Sequence, residues 1–299
     1  MSRMHFPLQQ TALAVAVAAT VPYVVLKLLW LTGSTVGTID AAGSAEMAGA
    51  RFVAGNGITV VLMLIAVIFL AALTRPWARQ VPAALVFVLG AGATGLLAPI
   101  LLGLPLGLAV QLAVTGEAQP AGDSGLAPWV FGIVYSGFGV LAVATAVLVL
   151  THVTERWGHL LVSPPRRPPT PATVAGALGL VPFGVAMGYW GVVGPGGSGP
   201  QGMELPAQRT VLVVTGVLSV AAFVVPFLFA RRWPRLAWLI VWTGCCVTAL
   251  QSPTQILLAH GGQVPPAVAA LALAAAPGAG FYGLGVLHRH LTPSPVPTR

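Results

Sequence analysis

Long apolar runs are the feature that most restricts how this chain can fold. A helix needs about 20 mostly apolar residues to cross a bilayer, and eight segments of the 299-residue chain meet that length. They lie at about residues 11–33, 54–74, 82–104, 128–151, 171–192, 209–230, 236–258 and 264–287. The runs predict an all-α integral membrane protein with eight transmembrane helices.

The charge content agrees with a lipid environment. Only 7% of the residues are charged, whereas soluble domains carry about a quarter. The net charge of +8 comes from basic residues in short interhelical turns, so a nucleic-acid partner is not predicted. The adjacent Cys245 and Cys246 are too few for a metal site. We therefore expect the bilayer as the partner, and neither a metal nor a cofactor.

The third apolar stretch continues to Val114 and is too long for one span. Proline removes a backbone donor and disturbs a helix. Pro99 and Pro105 are therefore predicted to end the third helix, which leaves Leu106–Val114 as a re-entrant or outer-leaflet piece.

The distribution of basic residues predicts the orientation. Eleven of the 14 Lys and Arg residues fall on the side that holds the N-terminus, and Arg51 and Arg209 fall on the other. Positive residues accumulate in cytoplasmic segments. We expect both termini in the cytoplasm and the protein in the plasma membrane.

Motifs from the first half of the chain return in the second. Pro22 precedes Trp30 by the same spacing as Pro182 precedes Trp190. Three further matches follow in chain order, namely Arg51 with Arg209, 75–79 with 231–235, and Ala98-Pro99 with Ser252-Pro253. Together they predict a duplication into two tandem four-helix repeats. An even number of helices per repeat gives both repeats the same, parallel orientation.

The repeat also defines the domains. The first repeat covers 1–162, a Pro-rich cytoplasmic linker covers 163–172, the second repeat covers 173–291, and a disordered tail covers 292–299. The first apolar run resembles a signal peptide. However, it is longer than such peptides and has a counterpart in mid-chain, so a retained helix is predicted.

Carboxylates gather near the duplicated tryptophans on the predicted outer side. Asp40 and Glu46 follow Trp30, and Glu204 follows Trp190. A partly buried carboxylic acid can stay protonated and serve as a general acid, so these three are the candidate catalytic residues. Solvation in an outer loop is the competing interpretation, and it is favoured for Glu117 and Asp123.

Several polar and aromatic residues at the same level are candidate substrate-binding groups. Lys27 is a charge within a span, which suggests function, but snorkelling or pairing with an acid would also explain it. Asn56 either caps the second helix or lines a cleft, and capping is favoured. The aromatic candidates are either an interfacial belt or cation-binding faces. They are Tyr23, Trp30, Tyr135, Tyr189 and Trp190.

This architecture, with acids and aromatic residues at one membrane face, resembles the small multi-pass membrane terpene cyclases, including bacterial ones that cyclise prenylated indoles. The Ala/Val/Gly/Pro-rich, lysine-poor chain also resembles actinobacterial proteins. The resemblance implies a lipophilic isoprenoid substrate and protonation-initiated cyclisation, with Asp40, Glu46 and Glu204 as the acids.

Two other classes of function stay open. A transporter or facilitator would have its site between the two repeats, and Pro22 and Pro182 would break the first helix of each repeat around it. A membrane scaffold or sensor is the third class. We rank the enzyme slightly ahead of the transporter.

Overall fold

Eight long helices account for most of the described residues of the computed structural model, which are 5–39, 49–117, 126–228, 232–257, 259 and 263–291. Each helix is long and apolar enough to cross a membrane. They are α1 (His5–Leu31), α2 (Ala50–Leu73), α3 (Ala83–Thr115), α4 (Pro128–Trp157), α5 (Thr170–Val193), α6 (Pro206–Leu228), α7 (Pro234–Leu257) and α8 (Pro266–Leu291). The predicted all-α class with eight membrane helices is confirmed.

Proline and glycine mark many of the helix ends. Four helices begin at a proline, where the missing N–H has no intrahelical partner in any case. The residues are Pro128, Pro206, Pro234 and Pro266. Gly116 caps the end of helix α3, and its left-handed backbone (φ +74°) is accessible to glycine without steric cost.

The prediction that Pro99 and Pro105 end the third helix is wrong. Helix α3 runs through both prolines to Thr115, and 33 residues give it a length of about 50 Å. Pro99 cannot donate to the carbonyl of Gly95, four residues earlier. The side-chain amide of Gln251 donates to that carbonyl instead, at 3.1 Å. A neighbouring helix thus satisfies the group that the proline leaves free, as membrane proteins often allow.

Pro22 and Pro182 do not break their helices either. Helix α1 continues through Pro22, and α5 continues through Pro182. The predicted breaks are therefore wrong. Single prolines are tolerated in membrane helices when the freed backbone groups find other partners.

The chain forms two compact units. The first contains residues 1–93 and 111–156, and the second contains 94–110 and 157–299. The middle of α3 therefore belongs to the second unit. There, Gly103 and Gly107 let the helix approach Val211 and Ala207 of α6, since a Cβ on Gly107 would lie 2.6 Å from the Ala207 carbonyl oxygen. Small residues commonly allow such close helix contacts in membranes.

Buried hydroxyl groups connect four helices of the second unit. Ser219 in α6 donates to the Leu180 carbonyl in α5, and Thr248 in α7 donates to the Ser219 hydroxyl, both at 2.7 Å. Tyr282 in α8 donates to the Phe223 carbonyl at 2.8 Å. These groups are satisfied within the protein, so they serve packing.

The segment before α5 is held against other helices of the second unit. Residues Leu160–Val162 form a 3-10 turn. The Trp238 indole donates to the Ser163 carbonyl at 2.9 Å, and His290 Nε2 lies 2.8 Å from the Leu160 carbonyl oxygen. The predicted linker 163–172 is therefore anchored at its first residue, and α5 begins at Thr170. The predicted tail, 292–299, lies outside the described residues.

Candidate functional site

The candidate site in the first unit lies beside a sharp turn that follows α1. The helix ends at Leu31, and Gly33 and Gly37 then adopt positive φ values of +86° and +85°. The Trp30 indole donates to the Val36 carbonyl at 2.8 Å. The Gly37 carbonyl accepts the backbone N–H of Ala127 at 2.7 Å. These bonds fix the turn against the end of α1 and the start of α4.

One stripe of α1 carries three of the predicted binding residues. Tyr23, Lys27 and Trp30 are spaced by four and three residues, which places them on the same helix face. Phe52 and Asn56 are spaced by four residues on the facing side of α2. These five residues form what we call the Lys27 cluster. Tyr23, Trp30 and Asn56 are buried, and Asn56 is only 2% exposed.

The Lys27 ammonium lies at the centre of this cluster. It donates to Asn56 Oδ1 at 2.7 Å. It also lies 4.8 Å from the ring centroid of Trp30, 5.2 Å from that of Tyr23 and 5.5 Å from that of Phe52. Because an ammonium group only donates hydrogen bonds, the oxygen of the Asn56 amide must face it.

These contacts explain how a half-buried charge is tolerated. A hydrogen bond to a charged group contributes about 1.5–3 kcal/mol, and a cation over an aromatic face contributes about 0.5–2 kcal/mol. Both oppose the cost of removing Lys27 from water. The structure thus differs from simple snorkelling, because the ammonium is held by a side chain of the neighbouring helix.

The rings of the cluster are fixed in turn. Tyr23 packs edge-on against Phe138 of α4, with the ring centroids 4.8 Å apart. Trp30 and Phe52 lie 5.8 Å apart. The cleft beside Tyr23, between α1 and α4, has no interior volume in which a ligand would fit.

The preferred interpretation of Asn56 as a helix cap is wrong. Helix α2 begins at Ala50, and Gly49 is its N-cap residue. Asn56 is thus in the second turn, with its side chain on Lys27. Sequence reasoning also missed Phe52, although its spacing from Asn56 matches that of Tyr23 from Lys27. The same four-residue spacing on two apolar helices is the sequence signal that could have identified Phe52.

The other predicted aromatic residues lie elsewhere. Tyr135 in α4 is 40% exposed and stacks on Phe131 at 6.3 Å. Tyr189 and Trp190 belong to the second unit, where Tyr189 is 58% exposed and Trp190 is buried. Of the seven predicted binding residues, the structure brings together Tyr23, Lys27, Trp30 and Asn56.

Of the three predicted acids, only Glu204 belongs to the described residues. Asp40 and Glu46 lie outside the described residues. Glu204 is exposed in the loop before α6, where its carboxylate accepts the backbone N–H of Gly202 at 3.3 Å. Among the described residues no group of His, Cys, Asp and Glu side chains is arranged to hold a metal.

Helix α5 of the second unit carries three apolar residues with the same spacing as Tyr23, Lys27 and Trp30 in α1. Phe183, Met187 and Trp190 repeat the spacing of the α1 residues, and all three are buried in one apolar core cluster. The Trp190 indole donates to Ser198 in the loop after α5, at 3.4 Å. A duplication would produce this likeness, and the duplication itself stays a prediction. Met187 shows that the stripe packs well without a charge.

In comparisons with models of protein families, with curated proteins and with solved structures, no match to this chain was found.

Proposed function

We propose that this protein binds the polar head of an amphipathic, lipophilic molecule at the Lys27 cluster and acts on that molecule within the membrane. The observation that carries the proposal is the Lys27 ammonium, which is half-buried between two apolar helices, donates to Asn56 and lies within 5.5 Å of three aromatic ring centroids. Charges inside membrane spans are costly and usually serve a function.

The donors of Lys27 suggest the chemistry of the head group. An ammonium has three N–H donors, and Asn56 accepts one of them. The remaining donors suit an oxygen anion such as a carboxylate or phosphate, because charge-assisted bonds are the strongest of their kind. The exposed side of the helix pair would contact the apolar part of the same molecule.

For the reaction we propose cyclisation of an isoprenoid, with Asp40, Glu46 or Glu204 as the acid. A carboxylic acid would donate its proton to an alkene or to an epoxide oxygen. A second double bond would then close the ring, and the carboxylate left behind would take a proton from the resulting cation, which restores the acid and forms a new double bond in the product. The reaction is an isomerisation and needs no further reactant.

The position of the turn after α1 supports this reaction. The chain is anchored at Val36 and Gly37, beside the cluster, and Asp40 follows three residues after Gly37. Lys27 would hold an oxygen of the substrate in this scheme. The aromatic rings of the cluster would not stabilise a carbocation in this scheme, because the Lys27 ammonium already lies against them.

A facilitator that moves the same ligand unchanged is the second candidate. The described cluster consists of an ammonium, an amide and aromatic rings, which bind by reversible hydrogen bonds and π-contacts. Reversible binding by such groups is compatible with transport as well as with catalysis.

A binding experiment tests the shared part of the proposal. A C15 isoprenoid carboxylate and the corresponding alcohol would be titrated into the protein in nanodiscs. Lys27→Met should weaken carboxylate binding by about tenfold or more, since a charged hydrogen bond is lost, and should change alcohol binding little. Arg75→Gln, which removes one exposed positive charge elsewhere, is the control. Equal loss in both variants would reject the site.

A second experiment separates the two activities. Membranes that contain the protein would be supplied with a prenylated substrate, and liposomes would be tested for its movement. Cyclisation predicts a product of unchanged mass and altered retention time, and its loss in at least one of Asp40→Asn, Glu46→Gln and Glu204→Gln. Full turnover in all three variants would reject the acid mechanism. Movement of unaltered substrate would instead support the facilitator.

A further inference from the structure

An open groove at one end of the second unit has a mixed apolar and basic lining. It has a volume of about 450 Å³ and lies between the end of α6 and the first two turns of α7. Its lining residues are Val225, Arg232, Trp233, Leu236, Ala237 and Ile240. The volume falls within the range of ligand-binding sites, about 300–1,000 Å³.

The polar and apolar groups of the groove are separated along its length. Arg232 and Trp233 precede α7, whereas Leu236 and Ile240 follow along one face of that helix. Arg232 is exposed, and Trp233 and Leu236 are 62% and 47% exposed. Arginine and tryptophan are typical of the level of lipid head groups. An apolar wall that continues from them runs toward the level of the acyl chains.

Further positive charge lies at the same end of this unit. The Arg167 guanidinium lies 5.3 Å from the Phe227 ring and hydrogen-bonds to the Phe227 carbonyl at the end of α6. Arg235 is exposed in the first turn of α7. The start of α7 also carries the partial positive charge of a helix N-terminus. The groove therefore offers positive potential where a phosphate would lie.

We propose that this groove binds one acidic phospholipid of the surrounding bilayer. The phosphate of the lipid pairs with Arg232, the indole of Trp233 lies at the head-group level, and an acyl chain lies along Leu236 and Ile240. Basic pockets between membrane helices bind anionic lipid head groups in this way. The site is independent of the Lys27 cluster, which belongs to the other unit.

Native mass spectrometry of the detergent-solubilised protein tests this proposal. The protein would be incubated with phosphatidylglycerol, with phosphatidylcholine of the same acyl chains, and with inorganic phosphate. We expect phosphatidylglycerol to bind in preference to both. Arg232→Gln should weaken its binding about fivefold, the change expected for one arginine at a membrane surface. Leu236→Trp, which fills the groove without altering the charge, should weaken it as well.

Arg75→Gln is the matched control. Like Arg232, Arg75 is an exposed arginine near a tryptophan, which follows two residues later. This variant should leave phosphatidylglycerol binding unchanged. Equal losses for Arg232→Gln and Arg75→Gln would overturn the proposal, as would equal binding of phosphatidylcholine. Displacement of the lipid by inorganic phosphate at similar concentration would also overturn it, since that result indicates a free-anion site.

Discussion

The Lys27 ammonium lies 2.7 Å from Asn56 Oδ1, and this bond joins the only lysine of the chain to its only asparagine. Each group is costly to leave unpaired between apolar helices, and this bond gives each of them one partner. At the same register of α5, Met187 is fully buried without any such partner. The polar pair is therefore not required for this kind of helix contact, which supports a role for Lys27 beyond packing.

A double-mutant cycle on this pair separates stability from function. Asn56→Leu should destabilise the protein by about 2 kcal/mol, because the ammonium loses its acceptor, and Lys27→Met should cost about 1–3 kcal/mol, because the buried amide loses its donor. The double variant should be more stable than the sum of these effects predicts, by about 1.5–3 kcal/mol. Unfolding in mixed micelles measures all four proteins.

The double variant also gives the cleanest functional control. We expect it to stay folded and to lose binding of the isoprenoid carboxylate, since the ammonium is gone. Strictly additive single effects would show that the two side chains do not interact. Unchanged carboxylate binding in the folded double variant would show that Lys27 has only a structural role.

Gln251 should stabilise α3 only because Pro99 is present. Gln251→Leu leaves the Gly95 carbonyl without its 3.1 Å bond, and we expect a loss of about 1 kcal/mol. In a Pro99→Ala background, the new alanine N–H can bond to Gly95 within the helix. Gln251→Leu should then cost much less. The free energies of unfolding of the four proteins test this, and an equal cost in both backgrounds would contradict it.

The sequence predicted most of the fold because membrane helices carry a strong local signal. Apolar length alone located all eight helices, since the bilayer sets the length of a span. It did not predict that α3 continues through Pro99, because the Gly95 carbonyl is satisfied by Gln251, 156 residues away. Compensation of this kind depends on tertiary contacts that no local pattern contains.

The candidate site was predicted in part for the same reason. The stripe of Tyr23, Lys27 and Trp30 follows from helical spacing within α1. The partnership of Lys27 with Asn56 depends on how α1 and α2 pack, so the helix-cap interpretation was preferred. The sequence shows that Phe52 and Asn56 share one face of α2, but only the packing of the helices shows that this face contacts Lys27.

The buried hydroxyl network should contribute modestly to the stability of the second unit. Thr248→Val removes the 2.7 Å bond to Ser219, and interhelical bonds of this type contribute about 0.6 kcal/mol, with an upper value of about 1.7 kcal/mol. Thr254→Val is the control, because the Thr254 hydroxyl bonds to the Leu250 carbonyl within α7. Thermal unfolding in nanodiscs should show a larger shift for Thr248→Val. A larger shift for Thr254→Val would contradict the role of the network.

Contact between α5 and α8 should depend on glycine at position 179. A Cβ on Gly179 would lie 2.9 Å from both the Ala274 carbonyl oxygen and the Gly278 Cα, so two backbones would have to separate. We expect Gly179→Ala to destabilise the protein by about 1–3 kcal/mol. Gly188→Ala, in the same helix, places its Cβ in open space and should be neutral or stabilising, because alanine favours the helix. Equal stability of the two variants would mean that α5 and α8 do not approach as closely as the Gly179 contacts require.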